Sequence, residues 1–143
     1  MDSRLLKQVV RFTKDIDYII MVTTSRDGVP HITTAGELKY DENKNLIKIA
    51  EWFCSTTVAN LNANKHIGIV VWKPEIDRGY QLQGSLMEVR NTAVLDGYTK
   101  KESQTQFPQT RKELLIKVEK ITEFSHTVHS DENLMDLQEK AGI

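Results

Sequence analysis

Three consecutive hydroxyl side chains, Ser55-Thr56-Thr57, stand immediately ahead of VANLNANK, where Val58 and Leu61, with Ala59 beside them, fall on one helical face. A hydroxyl residue at a helix start caps it. The unpaired N–H groups and positive dipole end of that first turn also make an anion site. This is binding chemistry, since such an end holds a phosphate with no acid, base or nucleophile nearby. Taken alone, the three hydroxyls satisfy either reading, a simple cap or a phosphate turn.

The other reactive groups are scattered. A single cysteine, Cys54, excludes an intramolecular disulfide framework and a CxxC pair, and its expected role is that of a small buried hydrophobe. His126 and His129 form an HxxH pair with no third ligand at a familiar spacing, so no metal site is expected. His31 and His66, near the starts of extended runs, read as structural. Gly-x-Ser-x-Gly elbows, Walker loops and dinucleotide fingerprints do not occur, which leaves hydrolase and P-loop readings unsupported.

The elements that must position the hydroxyl turn follow from hydrophobic periodicity. Leu5, Leu6, Val9 and Val10, behind Asp2 or Ser3 as a cap, predict a short amphipathic helix. YIIMVTT, residues 18–24, then Ser25-Arg26-Asp27-Gly28 and the run from Val29, read as a β-hairpin. Pro30 cannot donate to a ladder, so it belongs at the start of the second strand or at a bulge, with HITTAGEL continuing the sheet. The polar turn Tyr40 to Asn45 leads into a third strand, LIKIAEW, and the short helix follows it. HIGIVVW and YQLQGSLMEV read as strands around a charged loop, residues 73–79, and Gly84 marks a bulge or close backbone approach. Residues 93–107 are polar and in part helical in this reading, ELLIKVEKITEF is the sixth strand, and DENLMDLQEKAG predicts a terminal helix.

Six strands with short helices make an antiparallel sheet that has to manage its edges, and a small barrel does so. The 143 residues, 39% hydrophobic and 27% charged, suit one domain, 1–143. The net charge of −1 offers no footprint for nucleic acid or an anionic membrane. Apolar runs fall short of a membrane span, and MDSRLLKQVVRF mixes charge with apolar residues, so a cytoplasmic location is expected.

Gly28-Val29-Pro30-His31, the strand HITTAGEL, the strand LIKIAEW, the hydroxyl turn into VANLNANKHIGIVVW, and GYQLQGSLMEV occur in an order and spacing that resembles the FMN-binding split-barrel superfamily, which includes the pyridoxamine 5′-phosphate oxidases. The likeness spans about residues 5–90 and is strongest to the short FMN-binding proteins of that superfamily. The resemblance implies a mainly β fold, a six-stranded antiparallel split β-barrel with peripheral short helices. It also implies a homodimer with FMN at the subunit interface. Thr33, Thr34 and Ala35 would lie along the flavin ring or ribityl chain, Ala50, Glu51 and Trp52 would line the same cleft, and Ser55, Thr56 and Thr57 would contact the phosphate. Gln83, with Trp72, Tyr80 and Gln81, is a candidate for contact from the partner chain.

Read without the family, Thr33 and Thr34 are ordinary strand threonines and Trp52 is a core residue. Many relatives carry a lysine or arginine in the turn where this chain has Thr56 and Thr57, so either Arg78, Arg111 or Lys112 supplies the countercharge or the hydroxyls and the helix N-terminus suffice. The implied function is that of an FMN-dependent oxidoreductase of unknown substrate, with no protein acid or base assigned. The alternatives are a non-catalytic FMN carrier, a relative holding heme or a deazaflavin, and a cofactor-free dimer. A true pyridoxamine phosphate oxidase is disfavoured by the short chain and by the lack of the later arginine-and-histidine substrate motif.

Overall fold

The computed structural model describes residues 3–91 and 110–140, so the expected partial helix at 93–107 lies outside the described residues. Helix α1, Ser3–Phe12, buries Leu5, Leu6 and Val9, the apolar stripe of its sequence. Strand β1, Ile19–Thr24, buries every second residue, Ile19, Met21 and Thr23. The turn to β2, Pro30–Ala35, closes with the Gly28 N–H donating to the Ser25 carbonyl at 3.0 Å, and Gly28 takes the positive φ of 84° that its lack of a Cβ permits. Pro30 opens β2, where its missing donor costs nothing.

HITTAGEL is not one strand. The chain leaves β2 at Ala35, and β3, Leu38–Asp41, starts two residues after Gly36 at the opposite edge of the sheet. The Gly36 N–H, instead of joining a ladder, donates to the Glu51 carboxylate at 2.8 Å. The sheet therefore has seven strands where six were expected.

The remaining elements are β4, Leu46–Phe53; α2, Ser55–Ala63; β5, His66–Lys73; β6, Arg78–Asn91; β7, Thr110–Phe124; and α3, Leu134–Lys140. All strand pairs are antiparallel, in the order β2-β1-β5-β6-β7-β4-β3. The two edge strands do not pair with each other, so the sheet curls without closing, as in a split barrel. The core takes one face of the strands, with Ile47, Ile49, Ile69, Val71, Leu82, Leu114, Ile116 and Val118 all buried. Helix α2 is tied to that core by Asn60, whose buried Nδ2 donates to Thr23 Oγ1 at 3.1 Å. Among the described residues, no helix is long and apolar enough to cross a membrane.

Gly84 sits at a register shift between β6 and β7, as its place in the strand suggested. A Cβ there would lie 2.4 Å from the Lys117 carbonyl oxygen and 2.9 Å from Ile116 Cγ2. Gly84→Ala is expected to cost about 1–3 kcal/mol, as overpacking generally does. Chemical denaturation measures it, and a midpoint equal to the parent's would contradict the packing described.

Asp77, in the β5–β6 turn, fastens that turn to the chain after β7. Its carboxylate accepts from the Trp72 indole N–H at 3.2 Å, the backbone N–H groups of His126 and Thr127 at 2.8 and 3.1 Å, and Ser125 Oγ at 2.9 Å. These donors, the His126 amide foremost, hold the carboxyl at about 2, below its ordinary 3.8. The folded state thus gains from this group above the ordinary value and loses that gain as pH falls from about 4 towards about 2. Asp77→Asn should lower the melting temperature at neutral pH and flatten its decline through that acid window. An unchanged acid profile would show that the carboxylate does not fasten the turn.

Candidate cofactor site

The first turn of α2 follows directly on β4. Cys54 occupies the N-cap position in extended backbone, φ −75° and ψ 166°, where no side-chain oxygen caps the helix and the Thr57 N–H turns to the Cys54 sulfur. Ser55 and Thr56 are exposed there, so their hydroxyls and the open amides of the first turn face outward together. Thr57 does not join them. Its side chain is fully buried, with Oγ1 3.5 Å from Cys54 Sγ, and it holds the turn from beneath.

Strand register decides which of the expected ring-binding residues share a surface. Ala35, Thr33 and His31 stand opposite Ile19, Met21 and Thr23 of β1, so they face the side on which α2 packs. Thr34 and Ile32 face the other side, and Ile32 is 67% exposed. On β4, alternation puts Glu51 with buried Ile47, Ile49 and Phe53, and Ala50 and Trp52 on the opposite side. The structure therefore puts Thr33, Ala35 and Glu51 on the faces of their strands that look toward α2, and places Thr34, Ala50 and Trp52 on the reverse faces of the same strands. Ala35 is buried, whereas Thr33 is half-buried. Glu51 is committed to structure, since its carboxylate accepts from the amides of Gly36 at 2.8 Å and Trp52 at 3.0 Å.

The candidate countercharges also separate. Arg111 and Lys112 lie opposite Trp52 and Glu51 in the β4–β7 ladder, at the strand end that leads directly into α2. Arg78 begins β6, while Asn91, which pairs with Lys112, ends it. At about 3.3 Å per residue, that places Arg78 at the far end of the sheet.

Gln83 belongs to a different surface. It stands opposite Gly68, with Gln81 opposite Val70, and both line a cavity of about 600 Å³ on the outer face of the sheet with Val22 and Thr24. Trp72 shares that face, but Tyr80, opposite buried Val71, points the other way and meets Phe12 edge-on at 5.3 Å. Gln81, Gln83 and Trp72 can thus contact something covering the outer face, and Tyr80 cannot.

A pair that sequence reasoning passed over stands where β2 meets the start of α2. Cys54, expected to be a buried hydrophobe, is half-buried, with its sulfur 3.8 Å from His31 Nε2. Hydrogen bonds from the Thr57 hydroxyl and backbone N–H, and then the His31 imidazole, lower the thiol to about 7 against the opposing effect of burial. Cys54 at an N-cap was visible in the sequence as a hint, but nothing there said that β2 would bring His31 to it.

A family model described as pyridoxamine 5′-phosphate oxidase matches residues 5–125. Among solved structures, an FMN-binding protein from Syntrophomonas wolfei subsp. wolfei superposes with a TM-score of 0.63 at 20% identity, over 88% of this chain and 90% of its own. A Clostridium acetobutylicum protein related to general stress protein 26 of B. subtilis, described as of the pyridoxinephosphate oxidase family, gives 0.63 at 15%, over 96% and 99%. An F420 reductase gives 0.59 at 13%, over 81% and 94%. At these identities the likeness is one of fold. No curated protein sequence matches the chain. The family match across nearly the whole chain, on a split barrel with a hydroxyl turn, shows that the chain belongs to the pyridoxamine 5′-phosphate oxidase family.

Proposed function

We propose that the chain is a cytoplasmic, homodimeric FMN-binding flavoprotein that acts as an oxidoreductase. The observation that carries this reading is the N-terminus of α2, where Ser55 and Thr56 are exposed and Cys54 ahead of them meets His31 of β2. Its donors suit a phosphate dianion: two hydroxyls, open backbone amides and the positive end of a helix dipole. Lys112, opposite Glu51, brings positive charge to the same face of the adjoining strand end in place of the basic residue many relatives carry in the turn, while Arg111 shares the reverse face with Trp52. An FMN-binding relative of the same fold supports the choice of ligand.

In this reading Ser55 and Thr56 bind the phosphate, Thr33 and the Ala35 backbone border the ring, and Glu51 keeps β2 and β4 at a fixed separation through Gly36. Bound flavin supplies hydride and electron transfer, and the protein supplies position and electrostatics. A second copy covers the outer face, where Ile32 is 67% exposed beside Val22 and near Val70 and the cavity lined by Gln81 and Gln83. Gln83 would then reach the flavin held by the partner. The F420 reductase of similar fold favours a deazaflavin as the second reading.

Protein purified without added cofactor and titrated with FMN is expected to show flavin bands. The Ser55→Ala/Thr56→Ala variant should raise Kd about tenfold or more, the loss of charge-assisted hydrogen bonds. Failure to bind FMN, with binding of a deazaflavin or of neither, would overturn the assignment. Turnover of a dye with NAD(P)H separates an oxidoreductase from a carrier. Ile32→Glu, at an exposed site, should leave the fold intact and convert dimer to monomer in sedimentation, and a parent that already sediments as a monomer contradicts the interface.

A further inference from the structure

We propose that Cys54 and His31 form a reactive thiol pair, a site of covalent modification by electrophiles and peroxides, and that modification there and phosphate seated on α2 exclude one another. The exclusion rests on the reading of α2 as the phosphate seat; the reactivity does not.

The pair is assembled from separate elements, His31 on β2 and Cys54 at the β4–α2 junction, with the imidazole Nε2 3.8 Å from the sulfur. Beneath it, Thr57 is 0% exposed, and among the described residues its hydroxyl has only that sulfur, at 3.5 Å, as a partner. A buried hydroxyl needs a good acceptor, and a thiolate is a far better one than a thiol. Cys54 is half-buried, so the residue is not sealed within the core.

Among the described residues the elements packed here add no free acid. The first turn of α2 carries no acid, β1 brings the uncharged Thr23 and Thr24, and the Glu51 carboxylate of β4 is engaged by Gly36 and Trp52. Among the described residues the imidazole is thus the titratable group in contact with the sulfur, and Arg111 and Lys112 of β7 stand along the end of β4 that leads to it. These contacts agree with a thiol lowered to about 7. Among the described residues no third ligand joins the pair.

The chemistry balances simply. With a peroxide, the thiolate sulfur attacks one oxygen, the O–O bond breaks, and the leaving oxygen takes a proton. The sulfur becomes a sulfenic acid as the peroxide is reduced by two electrons to water or an alcohol. With iodoacetamide, an S–C bond forms and iodide leaves. In either case the new group sits one residue ahead of Ser55 and Thr56, at the mouth of the anion site.

Because Cys54 is the only cysteine, mass addition to the intact protein reports it alone. The experiment is the rate of iodoacetamide alkylation of cofactor-free protein against pH. The expected midpoint is about 7, and His31→Gln should move it upward and slow alkylation several-fold below it. A wild-type midpoint at the ordinary thiol value, about 8.5, overturns the pair whatever the variant does. Repeating the reaction with inorganic phosphate, and then with FMN, tests exclusion. Slowing by a ligand that spectroscopy shows to be bound supports it, and an unchanged rate with FMN bound overturns it. If neither ligand binds, the phosphate seat and the exclusion fall together, while the alkylation midpoint still decides the pair.

Discussion

The arrangement depends on how two strands that cannot pair are held at the split. β2 and β4 approach each other without a backbone ladder between them, and the Glu51 carboxylate spans the gap to the Gly36 amide. A side-chain acceptor here satisfies an amide that would otherwise lose its partner as the chain leaves β2. Helix α2 completes the join, running from the end of β4 and anchoring on β1 through the buried Asn60–Thr23 hydrogen bond. With these contacts made, His31 of β2 meets Cys54 at the junction of β4 and α2.

That join explains a division of labour within one short turn. Three hydroxyl residues in a row cannot all face outward at the start of a helix packed on a sheet, because successive residues are about 100° apart around the helix. Ser55 and Thr56 take the outward positions and Thr57 the inward one, beneath the sulfur. The position that faces inward is therefore spent on holding the turn, and Lys112, from the neighbouring strand, brings positive charge to its edge.

Much of the fold was legible because its signals are local. Alternation in β1 and β5, the proline at the head of β2, Gly28 in the hairpin and Gly84 at the bulge each state their own geometry. The break at Gly36 was not legible, since HITTAGEL continues the alternation well enough to pass for one strand and only the distant Glu51 makes the break favourable. Of the site, the hydroxyl turn announced itself through its place before a helix. Sorting Thr33 from Thr34, or Glu51 from Trp52, needed the face of each strand that meets α2, and separating Gln83 from Tyr80 needed the β5–β6 register. The Cys54–His31 pair is a long-range contact of residues that are unremarked in their own segments.

The central claim is that α2 holds a phosphate, and comparing FMN with riboflavin tests it most directly, because the two ligands share the ring and differ in that group. Fluorescence quenching gives both affinities under one set of conditions. The account predicts that FMN binds at least about a hundredfold more tightly, the equivalent of about 2.7 kcal/mol placed on the phosphate. Equal affinities, or a preference for riboflavin, would contradict it.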